Sequence, residues 1–552
     1  MCFVKLGSMK LPSPKRFLPD WKNVLLALLS SVMLILAFPD FDLWFLAWFA
    51  LVPLMWAVTR QSHCVTACFV LGWIFGTAFF FGTCWWLTYA PITYAAFPPF
   101  LAYMLFFFVA ATAGIFPGMF GVVLSLLLRR FGSVAVLAAP FIWVCTEFLR
   151  YWLTGNNWNA LGYSQAFLTV WNFPIVRIAS IGGVQISSWM VAAINLILFR
   201  PTIVIADYLW DSRREFRLTK KQLTLFFPTI AYIVVVATIV ASVFLGMLLE
   251  GQDTVQRVRG PWVVSVQPNV PMSGLTLEKW RELRQRHVRL AESALAKLHE
   301  RLTTNDDRRT LVIFPESPMN FMYEDDPETK LFIDSFASRH NVSVLFNSAE
   351  PDGSNGKYFN SAVMVSPEGK EVAQYDKIYL LPFGEAVPFP LEGILPGFVG
   401  NFSYGREYDL LPVGDAKAGV MICFESHFGQ LSRQYVAKGA DVIIEMTNDG
   451  YLGPTPVLRQ HLANAVFRAV ETNRPVLRVT NVGITAYINE RGEVLDAADS
   501  YVEDTRVWSV AKSDGKQTFY VKYGDWFAWL STAATLGLIL FSFRRKRIEV
   551  TD

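Results

Sequence analysis

The chain has 552 residues, 53% hydrophobic and only 17% charged, with a formal net charge of +3. That composition is too apolar for an ordinary soluble protein, and the length allows more than one domain. The small net charge comes from basic residues that are segregated rather than pooled, which gives no basis for nucleic-acid binding.

Residues 1–22 are basic, carrying Lys5, Lys10, Lys15, Arg16 and Lys22. Seven apolar segments follow near 23–39, 42–59, 64–88, 100–128, 133–152, 176–199 and 222–249, and an eighth occupies 525–543. Each approaches the roughly 20 residues that cross a bilayer. The first reads as a retained anchor rather than a cleaved signal, because further spans follow it. Basic residues gather in alternate connections: Arg60, Arg129-Arg130, the run from Arg200 through Arg213, Arg214, Arg217, Lys220 and Lys221, and the tail Arg544-Arg545-Lys546-Arg547. Residues 39–42 and 90–99 contain no Lys or Arg. The positive-inside rule therefore predicts both termini in the cytoplasm and residues 250–524 on the far side, which in a bacterium with two membranes would be the periplasm. The expected division is a basic tail (1–22), a seven-helix membrane domain (23–249), an extracytoplasmic domain (250–524), an eighth helix (525–543) and a basic tail (544–552).

The end of the fifth segment carries Trp143, Glu147 and Arg150, and Thr154-Gly-Asn-Asn-Trp158 and Leu161-Gly-Tyr-Ser-Gln165 follow it. Glu147 and Arg150, three apart, can pair on one helix face. Ionisable residues inside a span are costly and point to function, whereas at an interface they cap and anchor.

Residues 250–524 change texture. Val- and Ile-rich runs at 262–267, 310–314, 342–347, 362–366, 442–447, 476–480 and 485–488 alternate in part with helical patterns at 276–303 and 460–473. Strands mixed with helices predict an α/β layered fold. The runs at 362–366 and 371–375, joined by Pro-Glu-Gly-Lys, predict a hairpin. Gly, Pro and Phe in the loop 390–405 suggest a mobile apolar contact with the membrane.

Three strand ends carry charge or a nucleophile. Leu311-Val-Ile-Phe-Pro-Glu316 runs into a carboxylate, Tyr375-Asp-Lys377 leads to Pro-Phe-Gly-Glu385, and Ala418 to Ile422 ends at Cys423, followed by Phe424-Glu425. Cys423 is the only cysteine between residues 250 and 524, so it has no disulfide partner there. A lone strand cysteine is more often a small buried hydrophobe than a nucleophile. Here a carboxylate can take the thiol proton, and an ammonium can stabilise the thiolate and then an oxyanion. The six His residues show no metal-ligand spacing, and His427 and His461 read as structural or hydrogen-bonding groups.

These three stretches resemble the Glu-Lys-Cys signature of the nitrilase superfamily. With Trp143 to Gln165, Thr447-Asn448-Asp449 and the run from Gln460-His461 to Gly483, the whole chain is similar to the bacterial apolipoprotein N-acyltransferase family. The resemblance implies an αββα sandwich on a polytopic α-helical membrane domain of about eight helices. It implies Glu316 as general base, Lys377 as oxyanion stabiliser, Cys423 as nucleophile and Glu385 as supporting glutamate. Glu425 would orient Lys377 or a substrate amine, and Trp280, Phe424 and Tyr451 fall at substrate-contacting positions. The implied reaction is ping-pong. An acyl chain passes from a phospholipid, typically phosphatidylethanolamine, to Cys423 and then to the N-terminal amine of a diacylglyceryl-cysteine apolipoprotein. No cofactor, metal or nucleic acid is implied, and the expected state is a monomer. Tyr379 and Leu381 replace a His and a Val common in the family, Gly450-Tyr451-Leu452 replaces an aromatic pair beginning with Trp, and Phe424 stands where some members have Tyr. Two rivals share the residues: a membrane-tethered amidase, marked by activity without phospholipid, and a transporter or scaffold with an inactive domain, against which the intact triad speaks.

Overall fold

The computed structural model describes residues 17–167, 169–170, 173–210, 230–238, 241, 260–301, 306, 308–319, 321–387 and 402–544. The basic residues before position 17, most of the seventh apolar segment, the run 213–221, the loop 388–401 and the tail after Arg544 lie outside that set.

The membrane part is built from α1 (Trp21–Ala37), α2 (Ala47–Arg60), α3 (Val65–Thr83), α4 (Pro99–Phe131), α5 (Ala139–Thr154) and α6 (Ala179–Trp210). Among the described residues, four stretches are long and apolar enough to cross a membrane: Val65–Thr83, Pro99–Thr154, Val176–Phe199 and Trp526–Arg544. α1 and α2 are apolar but shorter. α3 and α4 approach through Gly72, Gly76, Gly114, Gly118 and Gly121, where a Cβ would strike the facing helix. Close backbone contact through small residues is how helices associate where lipid supplies no hydrophobic drive. α6 kinks at Gly182-Gly183; at Gly183 (φ 69°) a side chain would be strained and would press on the Tyr520 ring.

Residues 260–510 form two facing sheets. The first has strand order β12-β1-β2-β3-β4-β5, where β1 is Trp262–Gln267, β2 Thr310–Ile313, β3 Ser343–Asp352, β4 Lys357–Val365, β5 Glu371–Asp376 and β12 Asp504–Ser509. β4 and β5 are the expected hairpin. The second has order β11-β10-β9-β8-β7-β6, where β6 is Leu410–Val413, β7 Ala416–Ile422, β8 Val442–Thr447, β9 Val476–Thr480, β10 Ala486–Ile488 and β11 Val494–Leu495. Side chains alternate across a strand. Leu311, Ile313, Leu345, Ala362 and Met364 accordingly face the second sheet, while Val312, Phe314, Val344, Phe346, Val363 and Val365 face outward. That outer face is covered by α7 (Leu277–Arg301) and α8 (Pro327–His340). On the second sheet lie α9 (Gly429–Ala437) and α10 (Val457–Thr472), and the last described element is α11 (Trp526–Arg544). The result is the expected αββα sandwich.

The two parts are not separate bodies. One apolar core runs from Leu34, Phe75 and Phe120 of the membrane helices to Val420, Ile444 and Phe467 of the sandwich. The expected Glu147–Arg150 pair does not form. Glu147 Oε1 accepts the Leu161 N–H (2.8 Å), and Arg150 donates to the Trp158 carbonyl (2.9 Å) and lies over Phe80. Both groups brace the loop after α5 instead of each other.

Candidate active site

The residues singled out from sequence meet where β2, β5, β7 and β8 end. Cys423 follows β7 and opens a short 3₁₀ turn, Cys423–His427, with φ of 52°. A non-glycine residue in that left-handed region costs about 1 kcal/mol or more and persists only where its surroundings hold it. Glu425 supplies much of that hold. Its Oε2 accepts the Ile422 N–H (2.9 Å), and its Oε1 accepts from the Tyr375 hydroxyl (2.8 Å) and the N–H groups of Ile378 (2.7 Å) and Tyr379 (3.0 Å). Glu425 thus ties the nucleophile strand to the segment after Lys377. It makes no direct ion pair with Lys377; its contacts there are to the backbone of the two residues that follow the lysine. Burial pushes its carboxyl up to about 7, against the pull of Lys377 and these donors.

Lys377 follows β5 and is 1% exposed. Its Nζ is 2.8 Å from Glu385 Oε1 and 3.9 Å from Glu316 Oε1. Burial works against its charge, but the two carboxylates outweigh it and raise its pKa, which favours the ammonium. Glu385 is held in turn by the Leu381 N–H (2.7 Å) and by Asn360 Nδ2 (2.7 Å).

Glu316, two residues beyond Phe314 and one beyond Pro315, accepts the Asn448 N–H at 3.1 Å and reaches Asn360 Nδ2 at 3.3 Å. The Cys423 thiol lies near enough for the two groups to influence each other's protonation. Burial raises the Glu316 pKa, Lys377 opposes that, and Glu385 adds to it. Burial and the negative Glu316 likewise push the Cys423 thiol well above its usual range, with Lys377 opposing. That direction favours the thiol at rest, so activation calls for a base that takes the proton as the sulfur attacks.

The other expected residues are placed differently. Tyr451 is 48% exposed beside this cluster, its ring 6.2 Å from that of Tyr94 in the connection between α3 and α4. Phe424 is buried, stacked on His427 and edge-on to Phe428. Trp280, in the first turn of α7, packs against the outer-helix core.

Sequence reasoning missed Asn360, whose single amide nitrogen bridges Glu316 and Glu385. A polar residue inside an apolar strand was the available signal. His461 is the hydrogen-bonding group expected: its Nδ1 lies 2.6 Å from Asp449 Oδ1 and its Nε2 3.1 Å from the Cys423 carbonyl oxygen.

A cysteine at a strand end, a glutamate beside its thiol and a buried lysine, carried on an αββα sandwich, define a carbon–nitrogen hydrolase domain. Residues 272–518 match the family described as carbon-nitrogen hydrolase, and residues 30–197 match the apolipoprotein N-acyltransferase N-terminal domain. The chain is 31% identical over 542 residues to the apolipoprotein N-acyltransferase of Geobacter metallireducens, covering 96% of each chain. It is 28% identical over 541 residues to that of Thermotoga maritima, covering 96% of this chain and 95% of the other. A crystal structure of Saccharomyces cerevisiae Nit3, from the nitrilase superfamily, aligns with 46% of this chain and 91% of its own at 18% identity, with a TM-score of 0.35. The chain belongs to the apolipoprotein N-acyltransferase family.

Proposed function

We propose that this protein moves an acyl chain from a phospholipid to the N-terminal amine of diacylglyceryl-cysteine on an apolipoprotein, through a thioester on Cys423. The observation that carries this reading is a partly buried thiol and carboxylate with a buried ammonium, set beside a half-exposed Tyr451 that touches the membrane part through Tyr94. Glu316 takes the thiol proton as sulfur attacks the ester carbonyl. Lys377 stabilises the oxyanion of the tetrahedral intermediate. As the carbon–oxygen bond breaks, Glu316 returns the proton to the departing lysophospholipid oxygen and leaves the thioester. The acceptor amine then attacks, Glu316 removes its proton, and the amide forms as Cys423 leaves and recovers a proton.

Glu385 and Asn360 hold Lys377 and Glu316 in register, and Glu425 holds the turn that presents Cys423. Tyr451 lines the approach for an acyl chain; Phe424 shapes the turn from inside, and Trp280 stands at the start of α7 for contact with the acceptor. The basic-residue pattern supports an inner-membrane protein with both termini cytoplasmic, residues 250–524 in the periplasm and helical membrane segments on either side. Phosphatidylethanolamine is the proposed donor and a monomer the proposed state.

The test is intact-mass analysis of purified protein incubated with phosphatidylethanolamine, with Cys423→Ala alongside. An acyl adduct absent from the variant and discharged by a diacylated lipopeptide supports the reading. An adduct that only water discharges points to an amidase or lipase, and a wild type that never acylates overturns it.

A further inference from the structure

The loop after α5 belongs to the membrane part, yet its aromatic centre lies against the two histidines that frame the nucleophile. The Trp158 ring stacks on His427 (5.5 Å, 24°) and tilts over His461 (5.8 Å, 45°). His427 closes the 3₁₀ turn that Cys423 opens, and its other face stacks on Phe424, the residue after the nucleophile (5.5 Å, 13°). Its Nε2 accepts the Asn157 N–H at 2.7 Å. His461 faces the Cys423 carbonyl and Asp449, as described above.

The residue before His461 is gripped as firmly. Gln460 Oε1 accepts from Trp158 Nε1 (2.9 Å) and Trp86 Nε1 (3.1 Å) and reaches Asn159 Nδ2 (3.4 Å). Its Nε2 donates to the carbonyls of Thr83 (3.0 Å) and Pro39 (3.3 Å). Membrane residues therefore use every donor and acceptor of that amide. Gln460, His461, Trp158 and Asn157 are each at least nine-tenths buried, so water cannot substitute for these contacts.

We propose that the membrane-part loop Asn157–Asn159 is a positioning element for Cys423, with Trp158 holding the nucleophile turn through His427 and through Gln460-His461. Cys423 sits in a backbone conformation that its own residue type disfavours, and needs support from several sides. Glu425 supplies it from the catalytic sandwich, and Trp158 supplies it from the membrane part. The chemistry is consequently dependent on the membrane helices even for a donor that needs no membrane. This inference rests on Cys423 being the nucleophile.

The test uses the full chain in detergent micelles and p-nitrophenyl butyrate, a soluble ester that acylates a competent thiol and releases a coloured phenolate. Burst rate and its dependence on ester concentration are read for wild type, Trp158→Ala, Trp158→Phe, Gln460→Leu and Arg459→Ala. Arg459 pairs with Asp42 across the same junction, one residue from Gln460, but touches neither histidine. Misplacing a reacting group by about 1 Å costs up to about 100-fold in rate. Trp158→Ala and Gln460→Leu are expected to slow acylation at least about tenfold at nearly unchanged half-saturation, with Trp158→Phe, which keeps the ring stack, intermediate. Arg459→Ala is expected to keep the wild-type burst.

If the folded fraction of Trp158→Ala, measured by its melting curve, acylates at the wild-type rate, the loop only fastens two parts together and the proposal is overturned. It also falls if Arg459→Ala is equally slow, since any loosening of the junction would then do. A wild type whose burst survives Cys423→Ala would instead refute the assignment of the nucleophile itself, a distinct result.

Discussion

The membrane helices and the catalytic sandwich bury polar side chains by opposite rules. Within the helices the buried groups are mostly neutral, and backbone satisfies them one at a time. Asn195 accepts the Leu51 N–H (2.8 Å) and donates to the carbonyls of Ala47 (2.7 Å) and Val191 (2.9 Å), and Ser31 donates to the carbonyls of Ala27 and Phe75. The sandwich buries full charges and cancels them with other charges. Arg478 bridges Glu445 and Asp449, Arg468 pairs with Glu471 at 2.7 Å, and Lys377 lies between Glu385 and Glu316. A neutral amide bonded to backbone can only hold structure. A cluster of opposite charges can pass a proton inside itself without changing its net charge, which is what acyl transfer asks of it.

Removing a charge from the sandwich should break that balance most. Lys377→Met leaves two largely buried carboxylates without their cation. It is expected to cost about 3–5 kcal/mol of stability and to slow thioester formation by about 10²–10³-fold, read by chemical denaturation and adduct kinetics. A variant of wild-type stability and rate would show that the cluster does not need its cation.

The pH profile sharpens the comparison. Glu316 must be ionised to take the thiol proton, and its pKa is raised above the ordinary carboxylate value by burial and Glu385. Acylation by an uncharged ester should therefore fall about tenfold per pH unit below that raised pKa, so the acid limb lies at higher pH than a solvent-exposed glutamate would give. Asn360 donates to the charged form, so Asn360→Leu should move the limb higher still. A limb at the ordinary glutamate value would assign the base elsewhere.

A smaller loss is expected at Glu425. In Glu425→Gln the side chain keeps its size but turns one acceptor into a donor facing N–H groups. That should cost about 2 kcal/mol and slow acylation of the folded protein, since four donors that shape the nucleophile turn meet there. The smallest effect belongs to the helices. Asn195→Leu should lower stability by about 1 kcal/mol and leave the acylation rate untouched, because Asn195 holds α2 against α6 and nothing else. A slowed rate in that variant would mean that the two rules of burial are not independent.

Most of the site was legible because it lies at strand ends, where an apolar run stops at a charged or nucleophilic residue. β2, β7, β8 and β9 could be placed from Val- and Ile-rich runs alone. Side chains whose function depends on a fold contact left no local mark. Asn360 reads as an interruption in β4, and Glu425 reads as a neighbour of the nucleophile until its four donors, three of them about fifty residues away, are seen. α8 was missed although Asp326-Pro327-Glu328 announces it: Asp326 accepts the Glu328 N–H and Pro327 fills the first turn. β6 hides because Pro412 breaks its pattern, and β12 because Thr and Arg dilute its apolar face. The seventh apolar segment lies mostly beyond the described residues.

The pairing of β12 with β1 has a consequence for how the chain is made. Trp262–Gln267 is an apolar strand whose partner Asp504–Ser509 follows some 240 residues later. At ribosomal speeds of about 5–20 residues per second, that edge stays open for roughly 12–48 seconds after it is synthesised. An unpaired apolar edge is a template for wrong pairing. The nascent protein should therefore depend on a holding factor until its last strand arrives, and truncations before residue 504 should aggregate rather than accumulate as a folded fragment.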